Sequence, residues 1–115
     1  DLSGKISDIT VDQLSSKALT KLGRVNSKRL PLVKGRPRYG VPWSGIGTIV
    51  CIGLNYADHA KEAGSPIPAE PIIFWKANSA LNGPNDNVAI PRGSKKTDWE
   101  VEFGVVIGKE AKYVS

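Results

Sequence analysis

The first 47 residues divide into a segment with helical periodicity and a segment broken by proline and glycine. Between residues 11 and 22, apolar side chains recur at intervals of three and four positions, which is the spacing of an amphipathic helix. A helix is therefore predicted near residues 11–22. Residues 30–47 contain prolines and glycines at short intervals, which excludes a long helix or a central strand. They are predicted to form an extended connector.

Four apolar segments in the remainder of the chain predict β-strands. Residues 48–52 form a continuous β-branched run that is typical of a strand buried on both faces, and residues 72–75 form a second apolar strand. Residues 88–90 predict a short strand or edge segment. Residues 99–107 alternate at first and are then continuously apolar, which predicts a strand that enters a core.

One short helix is predicted between the first two strands. Asn55 is a favourable N-cap, the residues after it are helix formers, and Gly64 followed by a serine and a proline ends the segment. The expected length is about two turns.

Length and composition indicate a single modest domain that carries no membrane span. The 115 residues are 40% hydrophobic, enough to bury a core of that size. No stretch approaches the ~18 consecutive apolar residues of a transmembrane helix, and the first residues do not show the basic, apolar and small-residue pattern of a signal peptide. A lone cysteine, Cys51, is compatible with a reducing compartment. We therefore expect a cytoplasmic protein. Both ends of the sequence also look cut, so we expect a piece of a longer protein.

The net charge of +5 is concentrated in the first half, where residues 1–50 contain nine Lys and Arg against three Asp. A nucleic-acid partner is one interpretation of a basic segment. However, the cations are scattered without interleaved aromatic residues, which favours a solvated surface or a subunit contact.

Glu100 and Glu102 are candidate metal ligands. In a strand, residues two apart share a face, so these carboxylates would be neighbours roughly 6–7 Å apart. Two such charges raise one another's pKa unless a cation lies between them. Mg²⁺ or Mn²⁺ suits carboxylate oxygens. The alternative is an ordinary strand with one solvent-exposed face.

His59 and Glu62 are three residues apart and therefore lie on one side of the short helix. A glutamate that accepts the ring N–H of a histidine fixes its tautomer and raises its basicity, as a general base requires. A surface pair is the alternative. A zinc site is disfavoured because the chain has one His and one Cys. Lys76 ends an apolar strand, where it could either meet an anionic substrate or extend into solvent.

Three blocks occur in a specific order: G-x-N-Y-x-x-H-x-x-E at residues 53–62, P-x-x-F-x-K at residues 71–76 and T-D-x-E-x-E at residues 97–102. Together they resemble the fumarylacetoacetate hydrolase family from about residue 48 to residue 115. The resemblance implies an α+β, mainly β fold, the start of a mixed β-sandwich roll. Residues 1–45 would be the tail of a small N-terminal region with its connector, and residues 46–115 the first part of the catalytic domain.

The resemblance also implies roles for six side chains. His59 and Glu62 would form a water-activating dyad. Tyr56 and Lys76 would bind the substrate. Glu100 and Glu102 would be ligands of Mg²⁺ (or Mn²⁺). Family members take a third acidic ligand from segments that would lie beyond Ser115. We therefore expect the isolated chain to be inactive, and we expect a homodimer that needs the segment beyond Ser115.

The function implied by the resemblance is a metal-dependent hydrolase that cleaves a carbon–carbon bond in a small 2-oxo or 1,3-diketo acid. Its substrate would be acylpyruvate-like or a sugar-acid breakdown product. Lyase, decarboxylase or isomerase chemistry of the same family, as in ureidoglycolate lyase-like members, is an alternative. So is a non-catalytic binding module that keeps the fold. No nucleic-acid or membrane partner is expected.

Overall fold

The computed structural model describes residues 1–115, which divide into two compact units. The first unit comprises Asp1–Ser44 and Gly83–Ser115, and the second comprises Gly45–Asn82. The helices are α1 (Ser16–Gly23) and α2 (Ala57–Glu62), the strands are β1 (Ile49–Gly53) and β2 (Ile72–Lys76), and the 3-10 helices are Val11–Leu14, Ser27–Arg29 and Asn78–Ala80. None of the helices has the length and apolar character that crossing a bilayer requires.

The helix predicted near residues 11–22 is present as two shorter pieces. A 3-10 helix covers Val11–Leu14, and α1 begins only at Ser16. Ser15 separates them because its backbone is extended (φ −64°, ψ 147°) and its Oγ accepts a hydrogen bond from the Ala18 N–H at 3.3 Å. A serine in this position acts as an N-cap, which starts a new helix where periodicity alone predicted a continuous one.

The predicted connector forms no regular helix or strand over residues 31–43. Its end is tied to the segment before the first 3-10 helix by an isolated bridge between Thr10 and Ser44. There, the Ser44 N–H donates to the Ile9 carbonyl at 2.8 Å, and the Ser44 hydroxyl donates to the Asp8 carboxylate at 2.7 Å.

A second tie in the first unit is the ion pair between Arg38 and Asp86. Arg38 Nε donates to Asp86 Oδ1 at 2.8 Å, and Arg38 Nη2 donates to Asp86 Oδ2. The same carboxylate accepts the Gly83 N–H at 3.0 Å. These hydrogen bonds, first of all those from Arg38, lower the pKa of Asp86. They join the connector to the turn at residues 83–86.

The second unit contains an antiparallel two-stranded sheet in which Gly53 lies opposite Ile72 and Ile49 lies opposite Lys76. The strands predicted at residues 48–52 and 72–75 are thus confirmed to within one residue at their ends. The prediction that the first is buried on both faces is wrong for this chain, since Val50 is 52% exposed. A sheet of two strands has no second layer of its own to cover its faces.

Two predicted strands are absent. Residues 88–90 and 99–107 form no strand, and the apolar side chains of the latter are open to solvent, with Trp99 79% and Phe103 85% exposed. A strand exists only where its backbone N–H and C=O groups pair with a neighbouring strand, and the sheet of this chain consists of β1 and β2. The one fully buried apolar residue is Ala60 of α2.

Candidate active site

The turn between β1 and α2 determines where three of the six predicted site residues lie. Gly53 ends β1 close to its neighbour, since a Cβ there would lie 3.3 Å from Ile72 Cγ2. Leu54 then adopts a left-handed backbone with φ +48°, which is uncommon for a residue with a side chain. This sharp turn leads from the strand directly into the helix that contains His59 and Glu62.

Helix α2 begins one residue later than the sequence predicted. Its N-cap is Tyr56 and not Asn55, with an extended backbone (φ −119°, ψ 130°) and no hydrogen bond from its side chain to the helix. The Tyr56 carbonyl accepts the Ala60 N–H at 3.1 Å. The left-handed Leu54 delays the helix, because the chain must complete its turn before helical hydrogen bonding can start.

The end of α2 follows the prediction. Gly64 has φ +64°, the left-handed conformation that commonly closes a helix. The Ser65 N–H donates to the Ala60 carbonyl at 2.8 Å, and the Gly64 N–H donates to the Lys61 carbonyl at 3.1 Å. These bonds satisfy carbonyls that the helix leaves without an internal partner.

His59 and Glu62 both lie on α2, three positions apart. That spacing places their Cβ atoms about 5–6 Å apart on one side of the helix. His59 is half-buried, next to the buried Ala60, whereas Glu62 is exposed. Nearby, the Asp58 carboxylate accepts the backbone N–H of His59 at 2.9 Å. The helix therefore brings together an imidazole and a carboxylate that can act as base and orienting group, and their catalytic role stays a prediction.

Lys76 lies at the opposite end of the sheet from the turn that leads into α2. It pairs with Ile49, four residues along β1 from Gly53, and four strand residues span about 13 Å. Tyr56 follows the Gly53 end of the sheet and is 36% exposed. The backbone therefore does not place Lys76 beside Tyr56. If both residues bind the same substrate, the long side chain of Lys76 would have to extend towards it. Both substrate-binding roles stay predictions.

Glu100 and Glu102 lie in the first unit, on the segment that forms no strand, and both are exposed. Their common strand face is therefore not formed in this chain. No group of three or more His, Cys, Asp or Glu residues is arranged to hold a metal ion. Carboxylate oxygens are donors that suit Mg²⁺ or Mn²⁺. The sequence predicted two such ligands from this chain, Glu100 and Glu102. The metal site stays a prediction.

Sequence reasoning gave no role to Asn78, although its side chain makes two long-range bonds. Asn78 Nδ2 donates to the Ile46 carbonyl at 2.8 Å and to the Gly47 carbonyl at 2.9 Å. The partners lie 32 and 31 residues away, so no local pattern could have indicated them. The only available signal was that Asn78 follows Lys76 by two residues.

Comparison with known proteins identifies relatives over the whole chain. The family model described as fumarylacetoacetate (FAA) hydrolase C-terminal matches residues 48–115. A 2,4-didehydro-3-deoxy-L-rhamnonate hydrolase of Sphingomonas sp. (strain SKA58) is 55% identical over 117 residues, which cover 100% of this chain and 41% of that protein. A protein of Burkholderia ambifaria (strain MC40-6), named as a hydrolase, is 53% identical over 114 residues, which cover 99% of this chain and 40% of its own length.

The chain thus spans about two fifths of the length of these relatives. The family match covers all three sequence blocks, with His59 and Glu62 on α2, Lys76 at the end of β2 and the two glutamates. It extends over more than half of the 115 residues, and so this chain belongs to the fumarylacetoacetate hydrolase family.

Proposed function

We propose that this chain is part of a metal-dependent hydrolase that cleaves a carbon–carbon bond in a 2,4-dioxo sugar acid. The observation that carries the proposal is the 55% identity, over the whole chain, to a 2,4-didehydro-3-deoxy-L-rhamnonate hydrolase. An imidazole and a carboxylate on one short helix support it, because a positioned base can take a proton from the water that attacks the carbonyl.

The chemistry of such a substrate defines the bond that breaks. A 2,4-didehydro-3-deoxy acid has ketones at C2 and C4 on either side of a methylene, next to the C1 carboxylate. Hydroxide adds to C4, the C3–C4 bond breaks, and its electron pair moves to C3 as an enolate conjugated with the C2 carbonyl. Protonation at C3 gives pyruvate, and C4 leaves as a carboxylate. From a six-carbon 6-deoxy acid, the second product is lactate.

The residues of this chain supply the proton transfer and the binding of the anion. His59 removes a proton from the attacking water, and Glu62 orients the imidazole and stabilises its protonated form. Lys76 offers an ammonium to the substrate carboxylate, and Tyr56 offers a phenol hydroxyl. Glu100 and Glu102 would hold a divalent cation, which would supply Lewis-acid stabilisation of negative charge on the substrate oxygens.

The proposal also covers the strands that the sequence predicts but this chain does not form. We infer that residues 88–90 and 99–107 are strands of a mixed β-sandwich roll in the whole protein. Their exposed apolar side chains support this, since such surface is normally covered. We also infer that the whole protein supplies the third acidic ligand, forms a homodimer and works in the cytoplasm.

The test uses the full-length protein that contains this chain, with 2,4-didehydro-3-deoxy-L-rhamnonate and Mg²⁺ or Mn²⁺. Pyruvate release is measured by coupling it to NADH oxidation with lactate dehydrogenase, and stoichiometric lactate is measured separately. The matched variants are Glu62→Gln, which should lose most turnover, and Lys61→Gln, the exposed neighbour on the same helix, which should keep it.

Other products would replace the proposal. Release of CO₂ with retention of the remaining carbon chain indicates a decarboxylase, and an isomeric product without cleavage indicates an isomerase. Binding without turnover indicates a non-catalytic module. A full-length, metal-loaded protein that leaves 2,4-dioxo acids unchanged would refute the hydrolase assignment.

A further inference from the structure

We infer that Asn78 is a positioning residue for Lys76, and that it acts by clamping the end of the sheet where Lys76 lies. This inference rests on the proposed function for the substrate-binding role of Lys76. Its structural part rests on the hydrogen bonds of Asn78 alone.

Lys76 lies where the sheet ends. It is the last residue of β2, and its pairing with Ile49 is the last pairing of the ladder. The end of a two-stranded ladder opens easily, because only one neighbour holds it. A lysine side chain has four rotatable bonds, so movement of its backbone adds to an already wide range of ammonium positions.

The Asn78 amide continues the pairing beyond that last rung. Its Nδ2 donates to the carbonyls of Ile46 and Gly47, the residues that lead into β1, at 2.8 and 2.9 Å. The amide group carries two donor hydrogens, so it can serve both carbonyls. The side chain thus binds the strand opposite β2 at the point where backbone pairing has stopped.

The local backbone leaves the Asn78 side chain available for this contact. In the 3-10 turn, the Ala80 N–H donates to the Ala77 carbonyl at 2.9 Å, and the Leu81 N–H donates to the Asn78 carbonyl at 3.1 Å. The N-cap residue Ala77 has no side-chain group that could cap the turn. The turn is therefore closed by its own backbone. Lys76 lies between its strand pairing with Ile49 and the side-chain hydrogen bonds of Asn78.

The first experiment measures the backbone directly and does not depend on activity. In the full-length protein, Asn78→Ala should speed amide hydrogen exchange at residues 75–77 by about two- to tenfold, the effect expected for the loss of a hydrogen bond. Exchange at residues 52–53 and 72–73, at the other end of the sheet, should be unchanged. The control is Asn85→Ala, which removes an exposed amide from the turn at residues 84–86. Unchanged exchange at residues 75–77 overturns the inference.

The second experiment asks whether the clamp acts through Lys76. Asn78→Ala should raise KM for the 2,4-dioxo acid by about two- to tenfold with kcat nearly unchanged, and Asn78→Gln, which keeps the amide donors, should restore part of the loss. The increase should disappear in a Lys76→Met background, because the clamp then has no ammonium to position.

The two arms separate the inference from the proposed function. An equal KM increase with and without the lysine, or a lowered Tm with KM unchanged, overturns the positioning role. If the wild-type protein does not cleave the dioxo acid, the proposed function is refuted. If Asn78→Ala still speeds exchange at residues 75–77 in that protein, the structural role of Asn78 beside Lys76 is supported.

Discussion

Replacement of Gly83 by alanine tests the tie between Arg38, Asp86 and the turn at residues 83–86. Gly83 is buried. A Cβ at this position would overlap the Tyr39 carbonyl oxygen and would lie 2.6 Å from Asp86 Oδ2. The Asp86 carboxylate also accepts the Gly83 N–H at 3.0 Å. A methyl group therefore forces either the Tyr39 backbone or the carboxylate to move.

The expected loss of stability follows from that overlap. Forcing a methyl group into a filled space typically costs about 1–3 kcal/mol. The lower entropy of the unfolded chain after a Gly→Ala change offsets about 0.4–1 kcal/mol of that loss. Because the nearest overlapping atom is the backbone oxygen of Tyr39, which cannot shift cheaply, the cost lies in the upper part of the first range, and a net destabilisation of about 1–2 kcal/mol remains. At roughly 4 °C per kcal/mol for a domain of this size, Tm should fall by about 4–8 °C.

Thermal and urea denaturation of Gly83→Ala measure this loss. The matched control is Gly4→Ala, because a Cβ at Gly4 has no atom within 4 Å. A second check is Asp86→Ala together with Gly83→Ala. Removal of the carboxylate relieves part of the overlap, so the double variant should lose less stability than the sum of the two single variants. Equal Tm values for Gly83→Ala and Gly4→Ala would refute the steric reasoning.

Three further predictions concern the dyad, the metal and the ion pair. His59→Ala should lower turnover by about 10²–10⁴-fold while metal-dependent thermal stabilisation is kept; wild-type activity in this variant removes His59 from the mechanism. EDTA should lower the Tm of the full-length protein and Mg²⁺ or Mn²⁺ should restore it, an effect that should be absent from a variant with both Glu100→Gln and Glu102→Gln. Since its partners lower the pKa of Asp86 below the ordinary value of 3.8, the stability contributed by its pairing with Arg38 should be complete above pH 3.8 and lost as the pH falls below it. Acid titration of unfolding should show a smaller loss in Asp86→Asn, and identical acid profiles would contradict this assignment.

Local patterns in the sequence determined the elements that depend on neighbouring residues alone. The apolar runs at residues 48–52 and 72–75 predicted β1 and β2, because β-branched and aromatic residues suit an extended backbone. The glycine at position 64 correctly marked the end of α2, since it tolerates the left-handed conformation. The order of the three sequence blocks identified the family, which the family match at residues 48–115 confirms.

Tertiary structure decided the features whose partners lie far away along the chain. Arg38 and Asp86 are 48 residues apart, and Asn78 bonds to carbonyls more than 30 residues away. Residues 99–107 have the pattern of a strand, yet they form none here. An apolar pattern expresses the tendency of a segment to be buried, whereas a strand also requires a neighbour that pairs with its backbone. That neighbour is a property of the assembled fold, so the segment's own residues cannot specify it.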